Sequence, residues 1–300
     1  MMKSPNFLII GVQKAGTTSI YRYLKQHPQV YLSPVKETNF LEKDWEQRIA
    51  SGESENSTKI NTFEQYCQLF SGVEDEIALG EASPNYLFHY KTAIERIKRY
   101  VPDAKLIAVL RNPTERAHSD HLMHIRDAIG SPKVKSLSEQ VKFSAHKSFI
   151  LRKGFYAQQL KHFYEQFDRE KIRVYLYEDL CKDSISFMQE MYRFIGVDDT
   201  LKPDTSRRAQ TAQVPKNQSI NRMLRKQNPL RTAVASTLKV FLPEEKRQAV
   251  RQSLINLNSA DKSQAALSQE ERALLVDLYR EDILELQELI DRDLSNWLKV

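Results

Sequence analysis

A four-residue apolar run that ends at a glycine, close to the start of the chain, limits the folds open to this sequence. Phe7 to Ile10 has the length and composition of a buried strand, and Gly11 permits a tight turn after it. Residues 17–26 then carry apolar side chains near helical spacing and stop before His27-Pro28. This stretch therefore predicts a strand, a loop and a helix in succession.

The same succession recurs further along the chain. A second strand is predicted over Lys105 to Leu110, with a break at Arg111-Asn112-Pro113 and a helix from Thr114 onward. A third strand, Ile172 to Tyr177, follows a helical pattern over residues 156–167. Strands that alternate with helices favour an α/β fold with a central parallel sheet flanked by helices, in which ligands bind at the carboxyl ends of the strands.

We expect a single domain over residues 1–300, because a chain of this length with 41% apolar residues can bury one substantial core. Residues 51–62 are polar and without periodicity, which indicates a surface loop rather than a linker. Residues 268–299 carry apolar side chains near helical spacing, which predicts a C-terminal helix region that packs on the core.

Neither a membrane anchor nor an export signal is expected, because no uninterrupted apolar run approaches the roughly 18 residues of a membrane helix. The two cysteines, Cys67 and Cys181, lack the spacing of metal ligands. They favour a reducing compartment, so we expect a cytoplasmic protein without a metal site.

The net charge of +6 suits an anionic partner, and its distribution is uneven. No Asp or Glu occurs in the region 205–243, which contains eight Lys and Arg residues, among them Lys216. This region is either a basic lid over an anionic ligand or a solvated helix face with a loop.

Gly11 to Thr18 resembles a phosphate-binding loop, with two glycines and hydroxyl residues at a helix start, where amides and the helix dipole attract phosphate. A nucleoside-triphosphate loop requires Lys directly after the second glycine, but Thr17 occupies that position. The lysine is instead Lys14, inside the loop, and the second strand is followed by Arg111 rather than a metal-binding Asp. The pattern therefore favours a phosphate ester bound without magnesium-assisted hydrolysis.

With these features the chain resembles the sulfotransferase superfamily, and in particular bacterial members similar to its heparan-sulfate branch. The resemblance rests on ordered motifs along nearly the whole chain: Gln13 to Ser19, Lys36 to Phe40, Gly80 to Tyr86, Leu110 to Pro113 with Arg116 and Ser119, Gly154 to Tyr156 with Gln159-Leu160, Tyr177 to Leu180, and Asp293 to Trp297. It implies a P-loop-like sulfotransferase fold and the donor 3′-phosphoadenosine 5′-phosphosulfate (PAPS), with adenosine 3′,5′-bisphosphate (PAP) as product.

The resemblance also assigns roles to residues. Lys14 would stabilise the charge that grows on the leaving phosphate, and Arg111 and Ser119 would hold the 3′-phosphate. Tyr156 is expected by the adenine or in the core, and Lys216 in a lid that closes over the donor. The 5′-phosphate would be held by the loop and the helix start: Lys14, Ala15, Gly16, Thr17, Thr18 and Ser19.

For the base that takes the acceptor proton, the resemblance points to Glu37, which follows Lys36. The alternative for this pair is an ordinary surface ion pair. His124 is the competing candidate, although it lies one residue beyond the place where the branch often has a histidine.

Two other functions stay open at this stage: a P-loop kinase, and a non-enzymatic polyanion-binding protein. The displaced lysine disfavours the first, and the lack of aromatic residues among the basic ones disfavours nucleic acid as a partner. The expected acceptor is a hydroxyl or amine of a small metabolite or glycan. The sequence leaves the choice between O- and N-sulfation, and the oligomeric state, undecided.

Overall fold

The computed structural model describes residues 2–43, 60–127, 135–206 and 266–300, and within them five strands form one sheet. All neighbouring strands are parallel, in the order β2-β3-β1-β4-β5. The strands are β1 (Phe7–Gly11), β2 (Val30–Leu32), β3 (Ala78–Ala82), β4 (Lys105–Leu110) and β5 (Ile172–Leu176). The expected parallel α/β sheet is therefore confirmed.

Helices occur between the strands and after the last one. The described α-helices are α1 (Thr17–Leu24), α2 (Phe63–Gln68), α3 (Tyr90–Tyr100), α4 (Pro113–Asp127), α5 (Leu137–Ser144), α6 (Phe149–Arg152), α7 (Tyr156–Tyr164), α8 (Tyr177–Lys182), α9 (Ser184–Ile195) and α10 (Gln269–Ile290). Short 3₁₀ helices occur at Phe40–Glu42, Arg169–Lys171 and Ser295–Leu298. Among the described helices, none is both long enough and apolar enough to cross a membrane.

The central strand β1 and its neighbour β3 form the tightest part of the sheet. Every residue of both strands is buried, and Phe7 pairs with Gly80. A Cβ atom at Gly80 would overlap with the Phe7 ring, so glycine is required there by the close approach of the two strands. Burial on both faces is the usual environment of a parallel strand.

Several predicted helices and strands extend beyond the observed ones. The first helix ends at Leu24 rather than residue 26, and α7 ends at Tyr164 rather than residue 167. Tyr177 begins α8 instead of ending the third predicted strand, because the backbone turns into a helix directly after Leu176. The long C-terminal helix expected over 268–299 is α10, followed by a 3₁₀ turn.

The described residues fall into two compact units. The described residues of the first are 2–43, 60–116, 152–206 and 279–299, and this unit holds the whole sheet. The described residues of the second are 117–127, 135–151 and 266–278 together with Val300. The expectation of a single domain over 1–300 stays a prediction.

Most of two predicted segments falls outside the described residues. Of the surface loop expected over 51–62, only residues 60–62 are described, and Thr62 already caps α2 with its side chain. Of the basic region 205–243, only residues 205 and 206 are described. Cys67 is buried and Cys181 is exposed, and both are free thiols.

A carboxylate from the C-terminal helix caps α7 within the first unit. The Ala157 amide, in the first turn of α7, donates to Asp282 Oδ2 at 3.2 Å. Asp282 is buried, and this burial raises its pKa from the ordinary value of 3.8 to about 6, against the opposing effect of the amides at the start of α7. The C-terminal helix thereby contacts the helix that begins with Tyr156.

Asp282 should make the stability of the fold depend on pH. The pKa of Asp282 is higher in the folded than in the unfolded chain, so the folded protein binds more protons at pH values between the two. The contribution of Asp282 to the free energy of unfolding therefore falls as pH rises from about 4 to 6. The pKa shift corresponds to about 3 kcal/mol of stability, and this contribution is fully lost at pH values above the folded pKa. Urea denaturation at several pH values between 4 and 7.5 should show that the difference in free energy of unfolding between the wild type and Asp282→Asn changes by about this amount.

The exposed neighbour Glu281 provides the matched control, because Glu281→Gln changes a carboxylate one residue away on the same helix. Its stability should follow the wild-type pH curve. Parallel curves for Asp282→Asn and the wild type would show that Asp282 does not carry the effect.

Candidate active site

Each strand is followed, at its carboxyl end, by a segment that contains a motif identified in the sequence. Because the strands are parallel, these ends lie along one edge of the sheet. The chain continues from β1 into residues 12–19, from β2 into residues 33–40, from β3 into residues 83–86, from β4 into residues 111–113 and from β5 into residues 177–180. The candidate site is therefore built on the edge that an α/β sheet offers to ligands.

The loop after β1 has the backbone of an anion-binding turn. Lys14 and Gly16 both have positive φ values, 72° and 78°, and α1 begins directly after Gly16 without a side-chain cap. A Cβ atom at Gly16 would lie 2.9 Å from both Leu180 and Tyr177, so only glycine fits. Amides in the first turn of a helix have no partner within the helix, and they attract phosphate.

Arg111, directly after β4, is bonded to this loop. Its Nη1 donates to the Lys14 carbonyl at 3.0 Å, and its guanidinium lies over the Tyr177 ring, 5.0 Å from the ring centre. Glu115, one helical turn on, is 3.9 Å from Nη2. Arg111 is therefore bonded to the backbone of Lys14, and this bond supports the left-handed conformation of Lys14.

Asn112 and Pro113 explain why the backbone turns into α4 directly after Arg111. The Asn112 side chain accepts from the amide of Thr114 at 2.9 Å, which is the role of a helix N-cap, and Pro113 is the first helical residue. The Asn112 amide in turn donates to Glu178 Oε1 at 3.0 Å, so α8 is bonded to the same turn.

Tyr156 lies in the core beneath this turn. It is fully buried, packs edge-on against Trp297, and donates its hydroxyl to the Arg111 carbonyl at 2.9 Å. Burial raises the pKa of its phenol, so it stays a neutral donor. This position fits the core alternative for Tyr156, and it makes Tyr156 a support for Arg111.

Lys153 is a site residue that the sequence reasoning missed. Its Nζ donates to Gln13 Oε1 at 2.6 Å, which places a further cation beside the residue that precedes Lys14. The signal was present, because Lys153 directly precedes the motif Gly154 to Tyr156. Nothing in that motif, however, indicates that Lys153 contacts a residue 140 positions earlier in the chain.

Glu37 lies on the other side of β1, on the loop after β2. Its amide donates to the Ala82 carbonyl at 3.0 Å, and Ala82 ends β3, which pairs directly with β1. Its carboxylate is 2.5 Å from Lys36 Nζ and is 37% exposed. The structure thus contains the Lys36–Glu37 ion pair, at the strand end next to the phosphate loop. Its φ of 61° makes Glu37, like Lys14, one of four non-glycine residues with positive φ in the described ranges.

The sequence named three further candidates, Ser119, His124 and Lys216. Ser119 and His124 belong to the second unit, on α4, where His124 Nδ1 is 2.9 Å from the Asp120 carbonyl oxygen and the imidazole is half exposed. Lys216 lies outside the described residues. The roles of these three residues stay predictions. The described residues also contain no group of three His, Cys, Asp or Glu that could bind a metal.

Comparisons with known proteins agree on one family. Residues 5–201 match the model of the sulfotransferase family. The chain is 28% identical to human heparan sulfate glucosamine 3-O-sulfotransferase 6, over 64% of this chain and 52% of that protein. It is also 28% identical to human bifunctional heparan sulfate N-deacetylase/N-sulfotransferase 3, over 64% of this chain and 22% of that protein. The chain thus spans about half or less of the length of these curated relatives.

A solved structure extends the comparison to the full chain. A sulfotransferase from Alicyclobacillus acidocaldarius is 27% identical, with a TM-score of 0.69, over 99% of this chain and 100% of that one. The family match covers about two thirds of the sequence and includes β1 to β5 with the loops that follow them. The chain belongs to the sulfotransferase family.

Proposed function

We propose that this protein transfers the sulfuryl group from PAPS to a hydroxyl or amine of a carbohydrate or small metabolite. The observation that carries the proposal is the bond from Arg111 to the Lys14 carbonyl, which joins the turn after β4 to the loop after β1. It brings Arg111 to the backbone of Lys14, beside the start of α1, where an anion is favoured by the amides and the helix dipole. The family membership and the curated relatives support the same reaction.

The loop after β1 supplies what the leaving phosphate needs. The start of α1, from Gly16 to Thr18, would hold the 5′-phosphate through backbone amides and hydroxyls. The Lys14 ammonium would stabilise the oxygen that bridges phosphorus and sulfur. Charge grows on that oxygen only as its bond to sulfur breaks, so this interaction lowers the barrier rather than merely tightening binding.

Arg111 supplies the selectivity for a 3′-phosphorylated nucleotide. Its planar guanidinium suits phosphate oxygens, and the stacking on Tyr177 together with the bond to Lys14 holds it in place before a ligand binds. A side chain held in this way loses little conformational freedom on binding. Lys153, through Gln13, adds positive charge to the same loop.

Glu37 would act as the base for the acceptor. As the acceptor oxygen or nitrogen bonds to sulfur, the bond between sulfur and the bridging oxygen breaks, and the acceptor proton passes to the Glu37 carboxylate. Lys36, at 2.5 Å, holds that carboxylate in its orientation. The relatives are named for both 3-O- and N-sulfation of heparan sulfate, so the comparisons favour an amino sugar without separating hydroxyl from amine.

Donor recognition can be tested without knowing the acceptor. Calorimetric titration of the metal-free protein should show micromolar binding of PAP and at least about tenfold weaker binding of AMP and of ATP with magnesium, because only PAP offers the 3′-phosphate to Arg111. Arg111→Ala should weaken PAP binding by about 10- to 100-fold and AMP binding by less than about threefold. The exposed Arg22, changed to Ala, serves as the control for loss of charge. A preference for magnesium ATP would instead identify a kinase.

Lys14→Ala should reduce transfer far more than donor binding, because the ammonium acts mainly on charge that develops in the transition state. We expect the turnover of [³⁵S]PAPS to fall by about 10²- to 10³-fold, with PAP affinity reduced by less than about tenfold. The assay uses oligosaccharides of heparan type that carry both free amines and hydroxyls on glucosamine. Lys25→Ala, an exposed lysine after α1, should retain wild-type turnover. Equal losses in affinity and turnover would contradict this role for Lys14.

Glu37→Gln should lower kcat by about 10²- to 10³-fold with PAP affinity unchanged within twofold, because it removes the base and keeps the size of the side chain. Initial rates with the same oligosaccharides, together with PAP titration, measure both quantities. Glu64→Gln, an exposed residue of α2, is the control. If Glu37→Gln kept full turnover, Lys36 and Glu37 would be only an ion pair and His124 would become the leading candidate for the base.

A further inference from the structure

The loop of residues 36–41, called here the Glu37 loop, is held by an unusual set of acceptors. Glu37 and Asn39 have φ values of 61° and 52°, in the left-handed region, which costs a residue with a side chain about 1 kcal/mol. The loop amides donate outside any strand pairing: Glu37 to the Ala82 carbonyl (3.0 Å), Asn39 to Ser83 Oγ (3.0 Å), Phe40 to Thr38 Oγ1 (3.3 Å) and Leu41 to Tyr86 OH (3.2 Å). Three of these four acceptors are side-chain hydroxyls.

All three hydroxyls donate in turn to one carboxylate, that of Glu81. Thr38 Oγ1 and Ser83 Oγ donate to Oε1, the former at 2.8 Å, and Tyr86 OH donates to Oε2 at 3.0 Å. A fourth donor, Tyr66 OH, also reaches Oε2 at 3.0 Å. Glu81 lies on β3 and is completely inaccessible to solvent. The two oxygens of its carboxylate offer four lone-pair positions, which match the four donors.

A carboxylate does here what a neutral side chain of the same size cannot do. Because an ionised carboxylate only accepts, each hydroxyl must turn its hydrogen toward Glu81 and its lone pairs toward the loop. The amides of Asn39, Phe40 and Leu41 then always meet an acceptor. A glutamine would present two hydrogens to the same hydroxyls, so some of them would lose their partner or reverse.

Packing alone does not account for this residue. Burying a charge in the sheet is costly, and burial raises the pKa of Glu81 while the hydroxyls oppose that rise. Burial also raises the pKa of Tyr66 and of Tyr86 well above the ordinary phenol value, so both stay protonated donors. An apolar residue would fill this position on β3 without that cost, but it would leave the loop hydroxyls without a common acceptor.

We propose that Glu81 is a positioning residue for Glu37: through the hydroxyls of Thr38, Ser83 and Tyr86 it fixes the Glu37 loop in the conformation that presents the base to the acceptor. The inference rests on the proposed function for the role of Glu37. The ordering of the loop by Glu81 stands on the hydrogen bonds alone. Glu81 does not touch the reacting atoms, so it acts only through the loop.

The ordering of the loop can be measured without turnover. Hydrogen–deuterium exchange followed by mass spectrometry should show exchange at least about tenfold faster in peptides covering residues 36–41 of Glu81→Gln, with residues 12–20 and PAP affinity unchanged. Tyr66→Phe removes one donor to Glu81 and no acceptor of a loop amide, so it should speed the exchange by less than about twofold. Unchanged exchange in Glu81→Gln, or faster exchange throughout the sheet, would overturn the proposal.

The connection to chemistry is tested by a double-mutant cycle. Glu81→Gln should lower kcat by about 10- to 100-fold with little change in the KM for PAPS, because misplacing a base by about 1 Å has effects of this size. In the Glu37→Gln background the same change should alter kcat by less than about twofold, since no base is left to position. Equal losses in both backgrounds, or full turnover in Glu81→Gln, would overturn the proposal. Full turnover in Glu37→Gln alone would remove the base assignment, and the exchange data would still report on the loop.

Discussion

The parallel alignment of five buried strands is the constraint on which the candidate site depends. Their carboxyl ends lie along one edge, and β1 is paired on both sides, with β3 and with β4. The hydrogen-bonded register of these pairings sets the positions of the strand ends relative to one another. The bond between Arg111 and the Lys14 carbonyl requires that precision, because it joins two loops that are 97 residues apart in the chain.

Unfavourable backbone conformations occur at the two residues to which we assign chemistry. Lys14 and Glu37 are both left-handed, and each is held by groups from a neighbouring strand end: Lys14 by Arg111, and the loop of Glu37 by Ala82 and the hydroxyls around Glu81. Strained residues persist only where the surroundings over-determine them. A left-handed residue held by a neighbouring strand end thus occurs twice, once toward β4 and once toward β3.

Local sequence was sufficient for the parts of the fold that carry strong local signals. Strand β1 is an apolar run that ends at Gly11, and β4 is largely apolar and is followed by Arg111. The loop with Lys14 follows from the glycine spacing. Strand β2 has only three residues, and β3 contains Gly80 and Glu81, which are unfavourable in strands, so neither could be predicted. The buried carboxylates Glu81 and Asp282 were missed because a charged residue in sequence resembles a surface residue.

The position of β1 in the sheet separates two groups of contacts. Arg111 and the supports Tyr156 and Tyr177 lie on the side of β4 and β5, whereas Glu37 and Glu81 lie on the side of β2 and β3. A substitution of Glu37 or Glu81 therefore removes none of the hydrogen bonds that Arg111 makes with Lys14 and Tyr156. A sheet edge divided in this way allows the two groups of side chains to change independently of each other.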